Sequence, residues 1–339
     1  MSTMNATKIC AFAALFVVFF VHSCLVYGAR IGANEVQILP LFDTRLVLAD
    51  GRSQPVSIDA VSVMLNVTAV APSGAGFITV WPCGVPRPLA SHLNFEAGNT
   101  VANGVIAAIA AIGANGGVCI YSTSEIDLVV DISGWFEKDS YEALTPSRLL
   151  DTRETGLFLS PTNPITLDIS AISAIGVDGQ EAITPSGVKS VSLNVTTVDG
   201  KDAGFLTVWP CDQPRPVASN LNFQRAQTVA NGVIAAAGQA GNTCLYASQE
   251  THVVVDLNGW LSESTYVSVK PKRLRDTRET STLTSQAELG VDVHNISVTR
   301  DSGSTTIPLS AAALITGPTG VLLGVIDWSE VSMELARDV

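Results

Sequence analysis

Short stretches of alternating apolar and polar residues predict β-strands along most of this chain. In residues 61–69, Val, Val, Leu, Val and Ala occupy one set of alternate positions, and Ser, Met, Asn and Thr occupy the other. This period of two is typical of a strand with one buried face, and residues 191–196 repeat it. Residues 77–81 form a further strand pattern that ends at Pro82, which cannot continue a central ladder.

Turn-forming stretches rich in Gly, Asn, Asp and Pro separate these patterns. About seven or eight short strands per unit, with turns every 8–12 residues, are typical of an antiparallel sandwich. We therefore predict an all-β fold of tandem antiparallel β-sandwich modules, either jelly-roll or immunoglobulin-like. The stretch TVANGVIAA has some helical character, but its glycine and β-branched residues favour a strand.

The strand patterns belong to a unit that occurs twice. Residues 76–95 and 204–223 are identical at 15 of 20 positions, and TVANGVIAA appears unchanged at 100–108 and 228–236. The repeat predicts one β-sandwich module at 40–140 and a second at 145–265. A feature present in both copies is more often scaffold than a unique catalytic centre.

An Asp-Thr-Arg triplet marks the start of each unit and occurs a third time without a complete unit after it. Its terminal residues are Asp43 and Arg45, Asp151 and Arg153, and Asp276 and Arg278. Residues 270–339 lack the cysteines and the TVANG and GWF motifs. We expect this region to be a degenerate third module or a half-module that caps the second, because terminal repeats are often atypical. The alternative is that the triplet segment closes the module that precedes it.

The N-terminus has the pattern of an export signal. Lys8 precedes an unbroken apolar run over residues 11–21, and Val26 and Gly28 fit the positions before a cleavage site. We therefore interpret residues 1–28 as a signal peptide. Two alternatives stay open: retention of residues 9–29 as a membrane anchor, and lipidation at Cys24.

Four cysteines outside the signal fall one pair per unit, namely Cys83 with Cys119 and Cys211 with Cys244. Their equivalent placement predicts a disulfide within each module, although four cysteines formally permit three connectivities. Two cysteines without a nearby histidine are a poor zinc site, so we predict no metal and no cofactor. Disulfides agree with an exported protein.

Composition narrows the classes of partner. Without residues 1–28 the chain keeps 18 of its 19 basic residues and all 31 acidic ones, a net charge of −13. Such a surface repels nucleic-acid phosphates and anionic lipid headgroups. No later apolar run reaches the about 18 residues of a membrane span. We expect no nucleic-acid partner and no membrane insertion after signal cleavage.

The combined motifs resemble a known class of repeat. The strings RLLDTRETG, LNVT, GFLTVWPC, RPVASNLNF, QTVANGVIAA, TCLY and VVDLNGW resemble the repeat modules of secreted bacterial surface proteins, particularly those of actinobacteria. The resemblance covers roughly residues 40–280. It implies an extracellular or cell-surface location and a β-rich structural or accessory role, without an established activity.

Two sets of residues are candidates for a site. In the triplets, Asp and Arg could clamp a ligand carboxylate; we favour a structural turn, in which Asp caps its own turn and Arg pairs with a neighbouring group. Trp81 and Trp209 follow a strand and Trp135 and Trp260 end each unit. Packing in the core is the favoured interpretation for the first two, with glycan stacking or a module interface as alternatives. Trp135 and Trp260 are the better interface candidates, because each adjoins the linker. Sugar stacking would be assisted by Asn94 and Asn222.

Catalytic chemistry has little support in the sequence. His92 corresponds to Asn220 and His252 corresponds to Asp127, so no histidine is shared between the copies. Asp131 and Asp256 are equivalent, but a single carboxylate in a strand has no acid–base partner. We predict a non-catalytic secreted structural or adhesion protein that binds itself or a cell-surface glycan or protein. The alternatives are a glycan- or wall-binding module that uses exposed tryptophans, and an accessory chain of a cell-wall hydrolase.

Overall fold

The computed structural model describes residues 30–42, 44–48, 52–112, 115–262 and 266, and the backbone of five strands between 288 and 327. The predicted signal peptide and the triplet residues Asp43, Asp276 and Arg278 lie outside the described residues. The predicted all-β antiparallel fold is confirmed, with a single helical turn, α1 (Thr152–Thr155), among the described residues.

The first module, called module 1, contains ten strands: β1 (Glu35–Pro40), β2 (Arg45–Val47), β3 (Ser53–Pro55), β4 (Ala60–Val70), β5 (Gly76–Pro82), β6 (Leu93–Phe95), β7 (Val101–Ala108), β8 (Ala110–Ile112), β9 (Asn115–Ser122) and β10 (Asp127–Glu137). One sheet has the order β1-β9-β5-β6, with β8 also paired to β9. The other has the order β10-β4-β7.

The second module, called module 2, also contains ten strands: β11 (Tyr141–Asp151), β12 (Ile165–Asp168), β13 (Ser173–Ile175), β14 (Glu181–Ile183), β15 (Ser190–Val198), β16 (Gly204–Pro210), β17 (Leu221–Phe223), β18 (Val229–Ala236), β19 (Asn242–Ala247) and β20 (His252–Leu261). Its sheets have the orders β12-β19-β16-β17 and β11-β20-β15-β18.

Each sandwich closes over a core of inward-facing aliphatic side chains. From Val63 to Ala69 of β4 the predicted alternation holds, because Val63, Leu65 and Val67 are at most 1% exposed while Met64 and Asn66 are half-buried. At the start of the strand it does not, since the polar Ser62 is fully buried. Leu193 and Val195 occupy the same places in β15 and are fully buried. TVANGVIAA forms strands β7 and β18, as predicted.

The two modules differ at one edge. The residues that lead into the triplet form β11 in module 2, which pairs with β20. In module 1 the residues at the same place in the repeat form β1, which pairs with β9 in the opposite sheet. Strand β10, the counterpart of β20, therefore has a neighbour on one side only among the described residues.

Short strands follow the second module. They are β21 (Glu288–Asp292), β22 (Ser297–Arg300), β23 (Gly303–Thr306), β24 (Ala311–Thr316) and β25 (Ile326–Asp327), with β21 and β25 on either side of β24 and β22 paired with β23. Within the predicted cap of residues 270–339, these strands are what the structure describes.

Candidate functional site

The outer sheet face of each module carries the same row of side chains. In module 1, Phe77 lies opposite Asn94 of β6, and two residues further along β5 Thr79 lies opposite Tyr121 of β9. In module 2, Phe205 lies opposite Asn222, and Thr207 lies opposite Tyr246. Because alternate residues of a strand share a face, Asn, Phe and Tyr form one row on the face of each sheet that points away from the core. We call these the outer rows. Tyr121 is 8% exposed in its row, whereas Tyr246 is half-buried.

An arginine covers the tyrosine of each outer row. The Arg87 guanidinium carbon lies 3.7 Å from the centre of the Tyr121 ring, and that of Arg215 lies 3.5 Å from the centre of the Tyr246 ring. Both arginines are exposed, so the guanidinium N–H groups face solvent while one guanidinium face stacks on the ring. The PRP motif that recurs around both arginines is the sequence signal from which this feature could have been predicted.

The loops that carry these arginines are fixed by the disulfides. Cys83 is bonded to Cys119 and Cys211 to Cys244, the two pairs that the cysteine positions predict. Each loop follows β5 or β16 and returns over the outer face. Ser91 donates a hydrogen bond to the Asn94 side chain, and Ser219 repeats this bond to Asn222, which fixes the amides at the end of the outer row.

Trp81 and Trp209 lie beneath these loops and are 5% and 9% exposed. Their indole N–H groups donate to the Val85 and Gln213 carbonyls at 3.1 and 3.0 Å. Trp81 packs with Cys83 and Cys119. Because the rings are covered, these two tryptophans are removed as candidate sugar-stacking platforms.

Trp135 and Trp260 are half-buried and pack against the cores of their own modules. Trp260 also lines a shallow cleft near the junction between the modules, together with Tyr141, Glu142 and Lys138. Burial raises the pKa of the Glu142 carboxyl, and the nearby Asp178 acts in the same direction.

The described triplet at residues 151–153 forms a turn, whereas Arg45 of the first triplet lies in strand β2. The Asp151 side chain accepts a hydrogen bond from the Arg153 backbone N–H at 3.1 Å as the N-cap of α1, and Arg153 Nε donates to Asp151 Oδ1 at 2.8 Å. Arg153 lowers the pKa of the Asp151 carboxyl through these bonds. Arg45 donates to the Ser53 carbonyl, which closes the β2–β3 hairpin.

Polar side chains hold the two modules together at their junction. The Asn194 amide donates to the Ser91 carbonyl at 2.6 Å, and Asn103 accepts from the Gly232 N–H at 3.0 Å. A Cβ on Gly232 would lie 2.2 Å from the Gly104 carbonyl oxygen, so this glycine is needed for the close approach of β18 to β7. The repeated Asn-Gly of TVANG is therefore part of the junction.

The junction also contains an apolar cluster with an internal symmetry. Its members include three pairs of equivalent residues, one from each half of the repeat: Ile106 and Ile234, Phe136 and Leu261, and Tyr141 and Tyr266. Equivalent residues meet in this way when two like units are related by an approximate two-fold axis. The modules are thus packed through matching surfaces.

His92 is buried at this junction. The ring is 1% exposed, and Nδ1 accepts the Val80 N–H at 3.1 Å. Its counterpart Asn220 accepts the Val208 N–H at 2.8 Å in the same way. Burial lowers the pKa of His92 to about 4, while the neighbouring Asn258 side chain of module 2 acts in the opposite direction. The ring is therefore neutral at physiological pH.

This neutral histidine predicts a loss of stability in mild acid. The pKa of His92 is lower in the folded chain than in the unfolded chain, so the unfolded state gains the proton first as the pH falls below about 6.5. The stability of the parent should fall by about 2 kcal/mol between pH 7.5 and pH 5 through this group alone. Denaturant titrations of the parent and of His92→Asn, which copies module 2, measure the difference. An identical pH dependence of stability in both proteins would contradict a lowered pKa of His92 as the cause.

Among the described residues, no group of three or more His, Cys, Asp or Glu side chains is placed to hold a metal ion. No helix in the described part of the chain is long and apolar enough to cross a membrane.

No protein-family model and no curated protein matches the chain. Among solved structures, a match is found with the N-terminal CBM22-1–CBM22-2 tandem domain of Paenibacillus barcinonensis Xyn10C. The two are 10% identical, with a TM-score of 0.18, and the match covers 69% of this chain and 93% of that one.

Proposed function

We propose that this chain is a non-catalytic adhesion protein of the cell exterior, whose two outer rows bind a cell-surface or cell-wall glycan. The observation that carries the proposal is the repetition of the whole row, including its stacked arginine, on both modules. Scaffold residues are expected to recur at buried positions. The arginines Arg87 and Arg215 instead recur at exposed positions.

The chemistry of the outer rows supports a glycan ligand. Phe205 is 37% exposed and offers an apolar ring surface to the C–H groups of a sugar. The neighbouring amide and the guanidinium supply hydrogen bonds to hydroxyl groups, and the guanidinium can grip a carboxylate with two parallel bonds. Since the chain carries a net charge of −12, these two arginines are local positive sites on an acidic protein.

Two like sites on one chain favour a polymeric ligand. When one row is bound, the second row meets the same polymer at a high effective concentration, which strengthens retention without any new contact. The cystine loops hold the arginines in place before binding, so little ordering is required on association. Export, two disulfides and a glycan-binding surface fit an adhesion role outside the cell.

Removing the arginines should abolish retention on the ligand. Loss of one charge-assisted contact weakens a site about tenfold or more. Substitution of both arginines removes such a contact from each of the two outer rows. We therefore expect Arg87→Ala and Arg215→Ala each to weaken binding to insoluble cell wall or arrayed acidic glycans by about tenfold. The double variant should lose at least about 100-fold, because avidity disappears as well.

Arg153→Ala is the matched control, since it removes an arginine that bonds to Asp151 in its own turn. It should bind like the parent. Circular dichroism and intact disulfides establish that each variant is folded. Absence of binding by the parent to any wall or glycan preparation would overturn the proposal, as would full retention by the double variant.

A further inference from the structure

The outer edge of β10 in module 1 carries no partner strand among the described residues, whereas β11 covers its counterpart β20. The two sheets are otherwise alike in register. Asp131 of β10 lies opposite Asn66, and Asp256 of β20 lies opposite the equivalent Asn194. The two sheets therefore have the same strand pairing up to β10 and β20, and they differ at the outer edge of these two strands.

The uncovered edge changes the exposure of equivalent residues. Val129 is 46% exposed, while Val254, its counterpart in β20, is 5% exposed. Asp131 is exposed and forms no ion pair with a described residue, while Asp256 is 1% exposed and bonds to Arg148 at 2.6 Å. An edge of this length presents unpaired N–H and C=O groups that favour a further strand.

The residues that precede the triplet of module 1 lack an arginine that could pair with Asp131 at this edge. Arg148 stands three residues before Asp151 of its triplet, and the residue three before Asp43 is Pro40. Pro40 supplies neither a guanidinium nor a backbone N–H. Strand β1, which ends at Pro40, pairs with β9.

A second segment of the chain has the sequence of β11. Residues 266–280, YVSVKPKRLRDTRET, match residues 141–155, YEALTPSRLLDTRET, at nine of fifteen positions. Arg273 corresponds to Arg148 and Asp276 to Asp151. Residues 281–339 contain no third copy of the module core motifs, so this segment resembles β11 in sequence without a complete repeat unit after it.

The start of this segment already lies beside module 1. Tyr266 packs in the junction cluster with Met64 of β4 and Phe136 of β10. In module 2, the equivalent Tyr141 is the first residue of β11 and lies opposite Leu261, the counterpart of Phe136. Tyr266 therefore packs against the same cluster as Phe136, the residue that the β11 register would place opposite it.

We infer that residues 267–276, which lie outside the described residues, bind the free edge of β10 in the same chain and in the register of β11 on β20. This register places Arg273 opposite Asp131 and Asp276 opposite Val129. The segment after module 1 completes module 2, and the segment after module 2 completes module 1. This strand thus joins the chain that follows module 2 to module 1, in addition to the contacts at their junction.

The charges of the two surfaces support this occupant. Residues 267–280 contain five basic and two acidic residues in a chain whose net charge is −12. Strand β10 contributes Asp127, Asp131 and Glu137, all exposed. A basic strand beside an acidic edge gains favourable cross-strand pairs. In β11, Arg148 also donates a hydrogen bond to the Leu89 carbonyl of module 1. The approximate two-fold relation between the modules would place Arg273 near Val217, the counterpart of Leu89 in module 2.

Hydrogen exchange in the mature full-length chain tests this pairing. The amides of residues 127–137 should exchange about tenfold more slowly in the parent than in Arg273→Glu, in which like charges would face each other. The paired variant Asp131→Arg with Arg273→Glu should restore slow exchange. Arg278→Glu, whose counterpart Arg153 bonds within its own turn, is the control and should exchange like the parent.

A zero-length cross-link identifies which chain donates the strand. In Arg273→Lys, carbodiimide should join Asp131 to the lysine introduced at position 273 by an amide bond within one monomer. The same bond between two chains of a dimer would overturn the assignment to the chain's own segment. Absence of the bond together with equal exchange in the parent and Arg273→Glu would overturn strand pairing altogether. Neither result depends on glycan binding.

Discussion

Replacing Arg148 with methionine should destabilise the chain by about 3–5 kcal/mol, the usual cost of removing one partner from a buried ion pair. Arg148 Nε donates to Asp256 at 2.6 Å, Nη1 donates to Asp151 at 3.1 Å, and Nη2 donates to the Leu89 carbonyl of module 1 at 2.6 Å. One guanidinium therefore connects β20, the triplet turn and the first module. Chemical denaturation of parent and variant measures the loss.

The pH dependence of this variant distinguishes a lost ion pair from a packing defect. Burial raises the pKa of Asp256, while Arg148 acts to lower it. Without Arg148 the folded-state pKa of this carboxyl rises further, so the folded chain binds a proton that the unfolded chain has released. The stability of the variant relative to the parent should then recover as the pH falls from 7.5 towards 5. A constant difference across this range would contradict the ion-pair account.

Arg153→Met provides the comparison for this experiment. The Arg153 side chain is 50% exposed and shares Asp151 with Arg148, but it does not bond to Asp256 or to module 1. Exposed pairs contribute about 0–1 kcal/mol. We therefore expect a small loss of stability for Arg153→Met. A loss as large as that of Arg148→Met would mean that the triplet turn, rather than the bond to Asp256, accounts for the stability.

The sequence predicted the strands well because their alternation directly reflects which face of a sheet meets the core. It could not predict that a second module covers the other face. Ser192, Asn194 and Thr196 have the polar pattern of an outward face, and they do point away from the core of module 2. They are nevertheless at most 5% exposed, because module 1 packs against them.

Strand alternation likewise does not predict which strands pair at the edges of the sheets. Residues 35–40 have an extended pattern that fits either sheet. Pro40 disfavours pairing with β10, but the pattern alone does not predict pairing with β9. Competition between two edges decides it, and only the assembled sandwich presents both. Of the outer rows, the sequence pointed to Asn94 and Asn222. The exposed groups Phe205, Arg87 and Arg215 were not predicted, because tryptophan was the aromatic residue expected to stack on sugars.

Removing either disulfide should destabilise its module by about 4 kcal/mol, and the two losses should be nearly equal. The bonds close loops of similar length, with sequence separations of 36 and 33 residues. In the chain-entropy model the stabilisation varies with the logarithm of loop length, so this difference in length is worth only about 0.1 kcal/mol. Thermal and denaturant unfolding of the double variants Cys83→Ala with Cys119→Ala, and Cys211→Ala with Cys244→Ala, measure both losses. Since the loops also position Arg87 and Arg215, glycan retention should fall in each variant even at temperatures where it stays folded. Losses that differ by more than about 1 kcal/mol would mean that packing around the bond, such as that of Trp81, matters more than loop closure.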